Sequence, residues 1–156
     1  MHTLIGLHAG LGEIGVIASL WVFVELLNMS EASLRRARIA AFIAVIFFIS
    51  SWLVGGYNYL NDYATMVKPL IKNGPAPWAH LIMTEAKEHL FLFLPFLAIV
   101  EWSLLVKYKN ELLSDINLRK SALYISFVTT LLAFLMVGMG VLISSGFRAA
   151  LEALII

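Results

Sequence analysis

Residues 122–147 read ALYISFVTTLLAFLMVGMGVLISSGF, and no charged side chain interrupts them. An apolar run of roughly 18 residues or more is long enough to cross the hydrocarbon core of a bilayer as a helix. The run is continuous and lacks the strict alternation of apolar and polar residues that is typical of a barrel strand. This stretch therefore predicts a membrane-spanning helix and an all-α protein.

Three further runs, at residues 4–27, 39–55 and 90–106, are also mostly apolar, although Glu13 and Glu25 lie in the first and Glu101 in the last. Hydrophobic residues make up 61% of the 156-residue chain and charged residues only 13%, whereas about 25% of the residues in an ordinary soluble domain are charged. A water-soluble fold of this size could not bury so much apolar surface. The composition predicts an integral membrane protein whose first partner is the lipid bilayer.

Capping residues and breaks in the apolar pattern set the expected helix ends. Ser30 is a suitable N-cap for the second helix, and Pro77 is suited to the first position of the third. Between them, the tyrosine-rich stretch 57–77 suits the headgroup level of a membrane, as an outer interfacial connection between the second and third helices. We expect one domain, residues 1–156, in the form of an antiparallel four-transmembrane-helix bundle. The expected helices lie at about 4–28, 31–56, 77–107 and 120–148.

The distribution of basic residues predicts the orientation, because cytoplasmic loops retain more Lys and Arg than loops on the other side. Seven of the 11 basic residues follow the first and third runs, and four lie on the opposite side. We therefore expect both termini outside, in the cytoplasmic membrane of a prokaryote. The two sets are Arg35, Arg36, Arg38, Lys107, Lys109, Arg119 and Lys120 on the inner side, and Lys68, Lys72, Lys87 and Arg148 on the outer side.

Two classes of site are excluded by composition. The chain has no cysteine, so neither a disulfide nor a thiolate-bound metal is available to it. The formal net charge is only +1, without the basic patch and interleaved aromatic residues that a nucleic acid would need. No nucleic-acid partner is expected.

Ionisable residues within the helices are candidates for chemistry, because they are costly in a bilayer and normally face the bundle interior or water. Glu25 and Glu101 lie toward the cytoplasmic helix ends, within reach of basic residues such as Arg36 or Lys107, which favours structural anchoring. Glu13 lies about 15 Å inside the first helix, with no basic residue near it in sequence. We therefore assign Glu13 the catalytic position, as a proton-carrying group, against the alternative of a protonated core carboxyl.

The four histidines all fall at the outer ends of the first and third helices, which cross the membrane in the same direction. His8 and His89 are expected at matching depths, whereas His2 is beside the terminus and His80 is expected on a wet extension. One imidazole from each of two helices is the arrangement that ligates haem b in membrane bundles. His8 and His89 are therefore the predicted haem ligands.

A stripe of small residues follows His8 along the first helix at intervals of four and three. Gly12, Gly15 and Ser19 would leave room for a flat macrocycle, so Gly12 and Gly15 are predicted to border the cofactor. The alternative is that the stripe packs against a neighbouring helix, as small residues commonly do in membranes. Gly6 and Gly10 form a second close-packing pattern of that kind.

A non-haem metal site is the second interpretation of the same region. Glu85 and His89 are four residues apart on one helix face, and His8 faces them from the first helix, a ligand set that suits iron, manganese or zinc. Bundled di-iron proteins instead place Glu three residues before His. Lys87, between the two ligands, indicates a solvated face. This interpretation ranks behind haem.

The sequence therefore predicts a membrane cytochrome b-like protein that passes single electrons from a membrane donor such as quinol to an outer acceptor. Glu85 would hold His89 by a hydrogen bond. The third interpretation is a non-catalytic accessory subunit that packs against another membrane protein, because the apolar stretch 149–156 looks suited to docking. In each case we expect an oligomer or a component of a larger complex.

Overall fold

The computed structural model describes residues 2–155, apart from the side chain of His2. The expectation for the His2 side chain therefore lies outside the described residues. Every secondary-structure element within residues 2–155 is helical, and four helices are long and apolar enough to cross a membrane. This confirms the prediction of an all-helical chain with four candidate membrane spans. We label the helices α1 (His2–Leu27), α2 (Glu31–Asn73), α3 (Ala79–Lys107), α4 (Glu111–Ser114) and α5 (Ile116–Glu152).

Side-chain caps fix the starts of α2 and α5. The Ser30 hydroxyl accepts the backbone N–H of Ser33 at 3.1 Å, and the Ser33 hydroxyl accepts that of Ser30 at 2.7 Å. This reciprocal pair confirms Ser30 as the predicted N-cap. At the start of α5, Asp115 Oδ1 accepts the backbone N–H of Asn117 at 2.8 Å. Both caps pair amide groups that have no partner inside their helix.

Helix α2 continues to Asn73, whereas the sequence suggested an end near residue 56. The Gly55–Gly56 pair does not stop it, because no glycine in the described chain has a positive φ. Gly55 instead makes room for a neighbour: a Cβ added there would lie 2.6 Å from Nδ1 of His8. The expected interfacial connection is therefore largely a continuation of the helix.

Two segments of these helices are π-helical. One runs over Tyr59–Val67 in α2, and the other over Ala79–Thr84 at the start of α3. The π-helix is rare, is found mostly as short segments within α-helices, and is frequent at functional sites. A π-helical turn contains more residues than an α-helical turn, so it rotates the residues that follow around the helix axis. The side chains that face the protein core can therefore not be predicted from a period of 3.6 residues.

Two apolar clusters hold the long helices together. α1 packs mainly against α2 and α5, and α3 packs mainly against the same two helices. The histidine-bearing helices α1 and α3 therefore approach each other through long side chains that reach across the core. The first cluster contains Val16, Ala18, Ala44, Val45, Phe48, Leu94, Ala98, Ala133 and Met136. The second contains Val22, Leu26, Leu34, Ala37, Ala40, Ala41, Leu105, Leu112 and Ala122.

A third apolar cluster is formed by the second half of α2, the start of α3 and the end of α5, without residues of α1. At 1.5 Å per residue, the 43 residues of α2 extend about 65 Å, roughly twice the hydrocarbon thickness of a bilayer. We call residues 59–88 and 143–152 the terminal extension. Its apolar core contains Tyr63, Val67, Ile71 and Ala79, with Ile143 and Phe147 packed against them.

Candidate functional site

His8 is held firmly against α2. Its Nδ1 lies 2.9 Å from the carbonyl oxygen of Ser51, and the Ser51 hydroxyl donates to the His8 carbonyl oxygen at 3.0 Å. A carbonyl oxygen can only accept, so Nδ1 carries the proton in this contact. Nε2 of His8 has no hydrogen-bond partner among residues 2–155. The imidazole is therefore oriented, with its second nitrogen available to a ligand.

His89 shows the same pattern on a different surface. Its Nδ1 lies 2.7 Å from the carbonyl oxygen of Glu85, one turn earlier, and its side chain is exposed. The residue of α3 that approaches His8 is Phe91, with ring centroids 6.0 Å apart and an interplanar angle of 79°. The structure thus places His8 and His89 on helices that meet at this level, but it brings Phe91, and not His89, against His8.

The small-residue stripe of α1 is a helix-packing face in this structure. A Cβ added to Gly12 would lie 3.2 Å from Oγ of Ser51, and one added to Gly15 would lie 2.6 Å from the Phe48 ring. α2 therefore fills the space that the sequence suggested for a macrocycle. Gly12 and Gly15 therefore allow close packing of α1 against α2, which was the alternative interpretation of the stripe.

Lys87 does not stand on a solvated face. Its Nζ lies 3.1 Å from the position that a Cβ on Gly140 would occupy, so the side chain reaches across to α5. Lys87 is also close enough to His8 for their charges to interact. The expected solvated face is therefore wrong. The ammonium group of Lys87 packs against Gly140, where a larger side chain would collide with it.

Glu13 and Glu25 have different surroundings. Glu13 is exposed on α1, near the middle of the helix. Both Glu25 carboxylate oxygens accept from Arg36, at 2.6 and 2.7 Å, and Trp21 Nε1 donates to Glu25 at 2.9 Å. Glu25 therefore has the anchoring contact with a basic residue that the sequence suggested.

Glu101 was expected to be anchored by a basic residue at the membrane interface, and that expectation is wrong. It is 2% exposed, and neither carboxyl oxygen has a hydrogen-bond partner within residues 2–155. Its place is in the core of the bundle, between the two apolar clusters. Lys107 lies two turns further along α3, too far along the helix axis to be its neighbour.

His80 is also buried, contrary to the expectation of a wet extension: it is 1% exposed. Tyr63 Oη lies 3.0 Å from Nδ1 of His80 and 2.7 Å from Oγ1 of Thr84. The Thr84 hydroxyl donates to the Ala79 carbonyl oxygen at 3.1 Å, so Thr84 accepts from Tyr63 and Tyr63 accepts from His80. The Ala79 carbonyl oxygen can only accept, and this fixes which atom donates in each of the other two hydrogen bonds.

The other nitrogen of His80 faces a carboxylate. Nε2 lies 3.5 Å from Oε1 of Glu85. At this distance the two groups are in electrostatic contact, without a hydrogen bond. Tyr59 stacks on Tyr63 with centroids 5.2 Å apart, and Oε1 of Glu88 is buried without a hydrogen-bond partner in the described chain.

The contacts of Tyr63 with His80 and Thr84 join the two π-helical segments. Tyr59, Tyr63 and Thr84 were not among the candidate site residues predicted from the sequence. A four-residue spacing could have indicated them, because Tyr59 with Tyr63 and His80 with Thr84 each share a helix face. The histidine with both nitrogens in contact is His80, which makes it the least available ligand of the three described histidines. No group of three or more His, Asp or Glu side chains placed to hold a metal occurs within residues 2–155.

Comparison with known proteins supplies no family for this arrangement. No family model matches the sequence, and no curated protein and no solved structure matches the chain.

Proposed function

We propose that the chain is a membrane electron-transfer protein of the cytochrome b kind, with the four long helices in an antiparallel bundle and both termini outside. The observation that supports this is shared by His8 and His89: each donates Nδ1 to a backbone carbonyl oxygen and keeps Nε2 free. Metal-ligating histidines almost always donate their other ring nitrogen in this way, which fixes ring orientation and raises basicity.

The fit of a haem to these residues is partial. Nε2 of His8 would be available to hold the iron, but Gly12 and Gly15 are covered by α2 and would not border the cofactor. A bound haem would supply reversible one-electron chemistry, with quinol as donor. Glu13, exposed in the middle of α1, would carry a proton in this proposal.

The first test is an absorption spectrum of the detergent-purified protein, oxidised and then reduced, with metal analysis on the same sample. We expect a haem spectrum from the wild-type protein, and the loss of most bound haem from His8→Ala and from His89→Ala. His80→Gln is the matched control, because both nitrogens of His80 already have contacts within the protein. It should keep haem at the wild-type ratio.

Other outcomes of that measurement assign the site differently. Full haem content in both alanine variants would show that the ligands are elsewhere. A colourless protein with stoichiometric iron, manganese or zinc would favour the non-haem site, for which Glu85 and His89 are the candidate ligands. A colourless, metal-free protein would favour the accessory-subunit function.

One observation favours the accessory subunit as second candidate. Glu13 is exposed in the middle of α1, and Cβ atoms added to Gly6 or Gly10 would meet nothing within 4 Å. A carboxyl group facing lipid at this depth is costly, whereas a second membrane chain could cover it and pack closely on the two glycines. In that case Glu13 would mark the contact surface.

The orientation can be tested separately. Because the chain has no cysteine, single-cysteine variants at Asn73 and Asn110 report without background. An impermeant thiol reagent added outside intact cells should label the cysteine at position 73 and spare that at 110, since the basic residues concentrate beside position 110. Labelling of position 110 alone would reverse the proposed orientation.

A further inference from the structure

Three buried oxygen atoms meet in the core between α3 and α5. Glu101 is 2% exposed and Ser126 is 0% exposed. Both carboxyl oxygens of Glu101 and Oγ of Ser126 lack a hydrogen-bond partner among the described residues. The Ser126 hydroxyl is close enough to interact with the carboxyl group without meeting hydrogen-bond geometry. Unpaired buried polar atoms are rare in folded proteins, and three at one place call for a missing partner.

Further hydroxyl groups adjoin this position. Thr130 follows Ser126 by four residues and so lies on the same face of α5. Its Oγ1 is 2.9 Å from Oγ of Ser19 on α1, and both side chains are buried. The paired hydroxyls of Ser19 and Thr130 therefore lie one helical turn from Ser126 in an otherwise apolar core.

The protein supplies no positive charge to Glu101. Within residues 2–155 the ion pairs join Arg36 with Glu25 and His80 with Glu85, and Ser126 is the one polar group that acts on Glu101. A carboxylate taken out of water without a counter-charge costs many kcal/mol. Either a proton or a bound cation must therefore neutralise it.

We propose that Glu101 and Ser126 bind a monovalent metal cation, with the hydroxyls of Thr130 and Ser19 beside it. One carboxylate balances one positive charge, so a monovalent ion leaves the site neutral in the membrane. Carboxylate and hydroxyl oxygens are the ligands that hard cations prefer. A protonated Glu101 could donate to Ser126 and so pair two of the three atoms, whereas a metal cation between them would contact all three. Intramembrane carboxyl groups commonly mark such ion sites.

The test measures thermal unfolding of the purified protein in NaCl, in KCl, and in choline chloride of equal ionic strength. A bound ligand stabilises the folded state by mass action, so at an ion concentration a hundredfold above Kd we expect Tm to rise by about 5 °C or more relative to choline. Glu101→Gln should abolish this rise. Binding of radioactive sodium at one ion per chain, lost in the same variant, gives a readout independent of stability.

Two further variants keep the test decisive. Ser126→Ala preserves the carboxylate and should shift the cation concentration for half-maximal stabilisation upward by about tenfold, a difference of about 1.4 kcal/mol in binding. Glu25→Gln removes a carboxylate at the helix end and should keep the full cation response. Equal Tm values for wild-type protein in sodium, potassium and choline, with no bound sodium, would overturn the proposal and leave a proton as the neutralising group.

Discussion

Replacing His80 with alanine is expected to lower the free energy of unfolding by about 3–5 kcal/mol. The substitution leaves a cavity at a fully buried position, and it removes the donor to the buried Tyr63 hydroxyl. Chemical denaturation in mixed micelles, followed by helix content, measures the change.

His89→Ala is the matched control for that experiment. It removes the same side chain from the same helix, but at an exposed position, so we expect a change within about 0.5 kcal/mol in protein free of haem. If the two variants were equally stable, the buried network of Tyr63, His80 and Thr84 would have no structural role.

Gly15→Ala is expected to destabilise the protein by about 1–3 kcal/mol, although alanine is the better helix former. The added methyl group would lie 2.6 Å from the Phe48 ring, and α1 would have to move away from α2. Gly10→Ala on the same helix meets nothing within 4 Å, so it should be neutral or stabilising by up to about 1 kcal/mol.

The pair of glycine variants also decides what the small-residue stripe does. If Gly15→Ala were as stable as Gly10→Ala, α1 and α2 would not be in close contact at this level, and the stripe would again be open to a cofactor. Reversible unfolding in the same micelles gives both values on one scale.

The four spans and the Ser30 cap could be predicted because they depend on local composition and hydrogen bonding. Long runs with few charged residues predict membrane-spanning helices whatever their neighbours are. The extent of α2 could not be predicted in this way. Gly55 and Gly56 are typical of a helix end, and only the His8 ring on the facing helix shows why Gly55 is needed inside one.

The candidate sites were harder to predict, since they depend on which way each side chain turns. The ring orientation of His8 depends on a carbonyl group 43 residues away in sequence. The inward directions of His80 and Lys87 follow from π-helical turns and from a glycine on another helix. Glu101 was expected to resemble Glu25, yet depth along a helix does not give the face on which a side chain lies.

The length of α2 has a consequence for how the molecule unfolds. A helix of about 65 Å is longer than the hydrocarbon layer of a bilayer is thick. In a membrane, the core formed by Tyr63, Val67, Ile71 and Ala79 would then lie outside that layer and would be held together against water by the hydrophobic effect. That driving force is absent between helices surrounded by lipid. We therefore expect urea and cooling to act first on the terminal extension, which would open as a separate cooperative unit while the remaining helices stay folded.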